Sequence, residues 1–276
     1  MNNKLLILII AVIASVILLF SFSLKKIVSN KGVELLSRAD LENRETLFTA
    51  GAAYLEKKDY LRAKEAFKEF ISRFPDRPEA AKARKDMEKI NIKILFSNIP
   101  VEDSLSYEIK RGDTLAGIAS RFNTTVELLK KSNGIKGNLI MPGNFLKVNK
   151  TKFDILVDRS ENILLLRKPG GETVKTYVVS TGENFSTPLG TFKIEEKLIK
   201  PPWYKKVGAI VQPGATEYEL GSRWMGLSAS GYGIHGTRDE SSIGRHITKG
   251  CVRMKNKDVE ELYSIVPGGT EVTIIE

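Results

Sequence analysis

No single fold can satisfy the hydrophobic patterning of this chain, because three different patterns follow one another along its 276 residues. Leu5 to Leu24 is a run of twenty residues without a charge, broken only by Ser15, Ser21 and Ser23. Residues 33–96 hold one glycine, Gly51, and two prolines, Pro75 and Pro78, a scarcity of breakers that suits helices. From Lys152 onward, short runs rich in Val, Ile, Thr and Tyr alternate with Gly and Pro, as in strands joined by turns. The expected architecture is therefore multidomain.

The first pattern sets a boundary condition. Twenty residues at a rise of ~1.5 Å span about 30 Å, the thickness of a bilayer core. Residues 1–31 are read as a transmembrane anchor or a signal segment, flanked by Lys4, Lys25 and Lys26. Ser21 and Ser23 offer a cleavage-like site, but the run exceeds the ~7–15 apolar residues of a signal core, which favours an anchor. The lysines after the run outnumber those before it, which nominally places the bulk of the chain inside.

Charge restricts the partners. Lys and Arg number 43 against 33 Asp and Glu, a net +10. The excess is spread along the chain with no basic helix or aromatic-basic ribbon, so no nucleic-acid partner is expected. Attraction to an anionic surface, a membrane or a cell wall, stays open. The single cysteine, Cys251, excludes an intramolecular disulfide.

Residues 32–97 form the expected helical spacer. Ala50, Gly51, Tyr54, Ala63, Phe67 and Pro75 place small residues where two helices would cross. Residues 44–77 resemble a tetratricopeptide repeat, with a third helix from Pro78 to residue 95 as a cap. One repeat buries little by itself. A plain helical hairpin and a groove for a protein partner are both compatible with the spacing.

Residues 104–150 read as strand, helix, helix, strand. A strand over Tyr107–Lys110 ends at the Arg111–Gly112–Asp113 turn, and Asp113 or Thr114 caps a helix bearing Leu115, Ile118, Ala119 and Phe122. Thr124 or Thr125 starts a second helix that stops at Asn133–Gly134, and Phe145–Val148 returns as a strand. The run Tyr107, Gly112-Asp113-Thr114-Leu115, Ile118-Ala119, Phe122, Thr125-Val126, Asn133, Ile140, Gly143 and Leu146 resembles a LysM domain. The resemblance implies binding of N-acetylglucosamine-containing glycans such as peptidoglycan. It implies one groove wall at Gly112, Asp113, Thr114 and Leu115, and the other at Ile140, Met141 and Pro142.

Residues 151–276 are expected to be a mainly-β sandwich or barrel with one helix, from Asn256 to Ser264. The only two histidines, His235 and His246, lie within sixteen residues of Cys251. A thiol attacks as thiolate, and an imidazole in reach can take its proton and return it to a leaving amine. Glycine at 250 lets a carbonyl approach the thiol and leaves the amides of Gly250 and Cys251 to face an oxyanion. Chemistry alone leaves an inert buried cysteine as the competing reading. No phosphate-loop spacing is present, and no cofactor or metal is expected.

The local sequence adds to this. His235-Gly236-Thr237, then Thr248-Lys249-Gly250-Cys251-Val252-Arg253-Met254, resembles the catalytic signature of L,D-transpeptidases (YkuD-like). The upstream Ser180-Thr181-Gly182, the Thr187–Phe192 stretch and the Gly221–Leu227 stretch follow in the family's order. Lys249 stands where many members carry His. The resemblance implies attack by Cys251 on a tetrapeptide stem of peptidoglycan, release of D-Ala, and a thioester that a neighbouring stem amine resolves into a 3→3 cross-link. Resolution by water would make an L,D-carboxypeptidase, and a degenerate fold would leave a wall-binding scaffold.

The same resemblance implies His235 as base and acid, oriented by the Gly236 carbonyl, with Thr248, Lys249 and Gly250 shaping the pocket. Arg253 is expected either to hold a stem carboxylate or to form a salt bridge inside the domain. Trp224 and Tyr232 either pack the core or touch substrate, and His246 is expected to be a loop histidine. Anchor, spacer, glycan reader and cross-linker together imply the extracytoplasmic side of a bacterial envelope, with partners in glycan strands, tetrapeptide stems and the membrane.

Overall fold

Alternation builds the C-terminal half of the protein. In the computed structural model, which describes residues 44–204 and 208–276, strands β3 (Asp154–Asp158) and β4 (Ile163–Arg167) each alternate buried and half-exposed residues. That period of two buries Ile155, Val157, Leu164 and Leu166 on one face. The proposed anchor Leu5–Leu24 lies outside the described residues. Among those described, no helix is long and apolar enough to cross a membrane.

The chain divides into two units, one ending at Met87 and one starting at Glu88. In the first, helix α1 covers residues 44–56, α2 spans Tyr60–Arg73, and α3 begins at Pro78. Asp59 caps α2 by accepting the Arg62 amide at 3.3 Å. Phe67 and Phe70 are fully buried and pack on the ring of Phe48 at 5.9 and 5.4 Å between centroids. A Cβ at Gly51 would lie 2.7 Å from the Phe67 ring, which is why the crossing needs glycine. The expected helical hairpin is present.

The second unit joins three parts. The rest of α3 (Pro78–Leu95) covers the edge of the large sheet: Glu88 accepts the Thr176 amide at 3.1 Å, and Asn91 donates to the Val174 carbonyl at 3.0 Å. These side chains stand in for a neighbouring strand and so block edge pairing. The small module follows with β1 (Ser104–Glu108), α4 (Leu115–Arg121), α5 (Val126–Asn133) and β2 (Phe145–Asn149). The strands pair antiparallel from Ser104↔Asn149 to Glu108↔Phe145. Thr114 and Thr125 are the helix caps, and Gly134, at φ +66, ends α5 in the left-handed region.

The large domain contributes β5 (Thr173–Val178), β6 (Thr181–Gly182), β7 (Gly190–Ile199), β8 (Trp203–Tyr204) and β9 (Ile210–Val211). It continues with β10 (Arg223–Leu227), β11 (Gly233–His235), β12 (His246–Thr248), β13 (Val252–Arg253) and β14 (Glu271–Ile275). Eight strands form one open mixed sheet in the order β13-β11-β10-β7-β14-β3-β4-β5, and β6 pairs with β12 in a separate ribbon. The long β7 serves both halves of this arrangement: residues 190–193 pair with β14 and residues 194–199 with β10. Helix α6 (Asn256–Ile265) buries Val259, Leu262, Tyr263 and Ile265 in the core that both halves share.

Helix α5 belongs to both cores. Leu129 packs in the module's own cluster, with Ile118, Leu146 and Val148, while Leu128 joins the cluster of the large domain. The Thr125 hydroxyl donates to the Ser264 carbonyl on α6, and Lys131 Nζ reaches Ser264 Oγ at 2.8 Å. Lys147 of β2, buried, donates to the carbonyls of Ile94 and Ser97 at 2.8 and 2.9 Å, and its burial pushes its pKa down to about 8. The module is thus built into the large domain. Leu128→Ala should therefore cost about 2–5 kcal/mol of stability in the large domain. Chemical denaturation followed by Trp fluorescence (both Trp lie in residues 203–224) checks this, and an unchanged midpoint would show the two parts to be independent.

Candidate active site

Two short strands bring the reactive residues together. Strand β11 pairs parallel with β13, placing Ile234 opposite Val252 and His235 opposite Arg253. Cys251 immediately precedes β13, so the thiol enters the sheet one position before the strand that flanks His235. On the other side β10 pairs antiparallel with β11, with Trp224 opposite His235. Trp224, His235 and Arg253 therefore line up across three strands on one face.

His235 is fixed in place and in tautomer. It is 4% exposed, and its Nδ1 lies 2.7 Å from the carbonyl oxygen of Gly236. A carbonyl can only accept, so Nδ1 carries the proton and Nε2 keeps its lone pair. The Trp224 ring stacks on the imidazole, 5.9 Å between centroids at 26°. Burial pushes the pKa down to about 4, aided by the positive charge of Arg253 and opposed by the Gly236 carbonyl. A Cβ at Gly236 would meet Asn256 Oδ1 at 2.3 Å, so this carbonyl can reach the imidazole only from a glycine.

The loop bearing Cys251 is stapled by Thr248. The Thr248 hydroxyl donates to the Cys251 carbonyl at 2.6 Å and accepts the Gly250 amide at 3.2 Å. This corrects the expected free Gly250 amide: it is committed to Thr248. Gly250 has φ +114, and a Cβ there would lie 2.5 Å from the Tyr232 ring and 3.1 Å from the Ser186 carbonyl oxygen. Glycine is thus required twice, by conformation and by space. Cys251 is half-buried, with Sγ 3.8 Å from the Gly231 carbonyl oxygen, and Lys249 is exposed beside it.

Arg253 forms the internal salt bridge. Its guanidinium contacts Glu219 Oε2 at 3.2 Å and Ser242 Oγ at 3.4 Å, and its backbone exchanges two 2.8 Å hydrogen bonds with Ser180. Its Nε is buried without a hydrogen-bond partner among the described residues. His246 differs from the expected loop histidine. It sits on β12, with Thr181 Oγ1 2.8 Å from Nδ1 and Asn162 Nδ2 3.1 Å from Nε2, and Phe185 packs on its ring. Both of its nitrogens are engaged.

Several supporting residues escaped the sequence reading. Asn256 Oδ1 accepts the Ser222 amide at 2.9 Å and sits against Gly236. Gly182 abuts Gly250, and the Gly182 amide donates to Thr187 Oγ1 at 2.8 Å. The Ser-Thr-Gly and Thr-Pro-Leu-Gly elements marked these segments without revealing that they form the floor under the Cys251 loop.

In the small module the residues expected at the two glycan walls make different contacts. Asp113 Oδ2 accepts from Tyr107 Oη at 2.8 Å and from the Lys110 amide at 2.9 Å; Thr114 caps α4, and Leu115 is in the core. None of these, nor Gly112, borders the module's cleft of 630 Å³. Ile140 and Met141 line that cleft, and Pro142 does not.

The chain carries its one cysteine next to the strand that pairs with the tautomer-fixed His235, and comparison with known families shows what this domain is similar to. Residues 152–274 match the L,D-transpeptidase catalytic domain, and residues 107–149 match the LysM domain. Neither match reaches the helical segment, so the tetratricopeptide resemblance is not confirmed. The chain is 36% identical over 178 residues to the L,D-transpeptidase-family proteins YkuD of Bacillus licheniformis and of Bacillus subtilis. Each alignment covers 62% of this chain and 98% of the relative. YqjB of Bacillus subtilis, of the same family, is 39% identical over 106 residues, 36% of this chain and 58% of that protein. The chain belongs to the L,D-transpeptidase family and carries a LysM domain.

The depressed pKa of His235 has a thermodynamic consequence. Between pH 6.5 and about 4 the unfolded chain binds a proton at this histidine that the folded chain refuses. Stability should therefore fall as pH drops through that window, by about 3 kcal/mol from this group alone. His235→Gln should flatten the fall, as read from denaturation midpoints at pH 7, 5.5 and 4. An identical slope in the variant would show that His235 titrates normally in the fold.

Proposed function

We propose that this L,D-transpeptidase works through a thioester on Cys251, formed on peptidoglycan tetrapeptide stems and resolved into 3→3 cross-links. The observation that carries the reading is the Nδ1–H donation to Gly236, which leaves a neutral, unprotonated Nε2 on the strand flanking the cysteine.

In the acylation step Nε2 takes the thiol proton as Sγ bonds to the carbonyl carbon between the L-centre of diaminopimelate and D-Ala. The tetrahedral adduct collapses, the C–N bond breaks, and the imidazolium returns its proton to the departing D-Ala amine. In the second half an acceptor amine attacks the thioester carbonyl, gives its proton to Nε2, and the thiol leaves reprotonated. The low pKa of His235 suits a base that starts neutral, and its burial and the positive charge of Arg253 limit how long it stays charged. Gly236 orients the base, Thr248 sets the loop, and Gly250 opens the approach. Exposed Lys249 is the cation assigned to a stem carboxylate, while Arg253 acts through its bridge to Glu219. Tyr232 borders the entry over Gly250.

The LysM match supports glycan affinity next to the reaction centre, and Leu5–Leu24 supports a membrane anchor that holds both at the outer face of the cytoplasmic membrane. Disaccharide-tetrapeptide incubated with the protein should yield D-Ala and cross-linked dimers by mass spectrometry. Tripeptide alone would mean water is the acceptor, and no turnover would favour a scaffold. Cys251→Ala should abolish the reaction, and His235→Ala should slow it ~10²–10⁴-fold. His246→Ala should stay within about tenfold, since its nitrogens are occupied by Thr181 and Asn162. The reverse order of the two histidines would reassign the base.

A further inference from the structure

Helix α6 opens with a side chain suited to capping that reaches away from its own helix. The N-cap is Lys255, which makes no side-chain capping bond, and Asn256 is the first helical residue. Asn256 Oδ1 accepts the Ser222 amide at 2.9 Å, in the turn just before β10. We propose that Asn256 is a positioning residue of the reaction: it clamps the Gly236–Thr237 peptide, whose carbonyl holds His235 in its reactive tautomer.

Three observations carry this. First, the direction of a carbonyl is set by the plane of its peptide, and here that plane is covered. A Cβ at Gly221, where φ is +63, would lie 2.4 Å from the Gly236 carbonyl carbon and 2.5 Å from the Thr237 nitrogen. The Gly221 backbone therefore rests on the peptide that His235 Nδ1 addresses at 2.7 Å. Second, the Asn256 oxygen sits where both glycines meet. It would lie 2.4 Å from a Cβ at Gly221 and 2.3 Å from one at Gly236, and its bond to Ser222 anchors the Gly221 turn. An amide donor needs an acceptor, so the oxygen of Asn256 and not its nitrogen faces this junction.

Third, the clamp has a rigid base. Val259, one turn further along α6, is fully buried, and its side chain would lie 3.2 Å from a Cβ at Gly236. The Gly236 amide donates to the Arg223 carbonyl at 3.1 Å, which fixes the other side of that residue. Without the Asn256 oxygen the Ser222 amide loses its acceptor, and the Gly236 carbonyl is free to turn from Nδ1. His235 would then exchange between tautomers, and its Nε2–H form cannot accept a thiol proton at that nitrogen.

The inference rests on the reading of His235 as the base, and the experiment separates the two. The chain has only two histidines, so ¹⁵N-histidine labelling of the full chain resolves His235, whose signals are those missing in His235→Ala. The ring-nitrogen shifts read the tautomer, and D-Ala release from disaccharide-tetrapeptide at pH 7 gives kcat and KM. The unaltered chain should show the Nδ1–H form. Asn256→Ala should show mixed tautomers and lose about tenfold or more in kcat with KM within about twofold, since a displacement of ~1 Å can cost ~10²-fold. Asn256→Asp, whose carboxylate can accept the same amide, should return the single tautomer and most of kcat. If Asn256→Ala does not fold, Asn256→Ser, whose oxygen stops one bond short of the amide, replaces it under the same criteria. A folded variant that keeps the Nδ1–H form alone overturns the clamp, whether or not its kcat falls. Normal turnover in His235→Ala overturns the base assignment and leaves the tautomer comparison as the test of the clamp.

Discussion

The parallel pairing of β11 with β13 is the constraint on which the reaction centre depends. It is only two residue pairs long, Ile234↔Val252 and His235↔Arg253, yet it fixes the imidazole beside the residue that follows the thiol's strand entry. Neither strand could hold this register alone. Ser180 brackets Arg253 with two backbone hydrogen bonds, and Met254 donates to the His235 carbonyl at 2.8 Å. Buried Ile234, Val252 and Met254 then tie the pair into the core. Because a one-residue slip would send His235 to the opposite face, the register is itself a functional feature. Trp224 and the Arg253–Glu219 bridge flank it, and burial with the charge of Arg253 keeps the base neutral.

The second organising feature is the sharing of α5. Adjacent residues, Leu128 and Leu129, serve two different cores, as a 100° step around a helix allows. Thr125 and Lys131 add polar contacts to α6 on the same side. The LysM domain is consequently mounted on the catalytic domain.

Much of this was legible in the sequence. The strand-helix-helix-strand order of the module, the stop at Gly134 and the helix from Asn256 all follow from local rules, which narrowed each cap to two neighbours, of which Thr114 and Thr125 serve. So does the clustering of His235 and Cys251, because a short motif places them on neighbouring elements. What local rules could not show depended on long-range register. His246 looked like a loop residue because its strand has three residues and pairs only with Thr181–Gly182, sixty-odd positions earlier. Gly250 looked free to offer its amide because a Ser/Thr turn from Thr248 leaves no periodic trace. Asp113 and Thr114 carried the family pattern at the first turn, and their side chains hold that turn together. The order in which the strands pair, with the two halves of β7 serving different neighbours, depends on long-range register and leaves no local trace.

The central claim is that Cys251 and neutral His235 form a working nucleophile and base. A carbapenem presents a strained carbonyl to such a thiol without requiring the natural stem, and the family resemblance implies that it acylates this position. Intact-mass spectrometry of the protein with excess carbapenem at pH 7 should show one adduct of the drug's mass. It should be absent in Cys251→Ala and strongly slowed in His235→Ala. A folded protein that stays unmodified for hours, or an adduct that survives Cys251→Ala, would contradict the account.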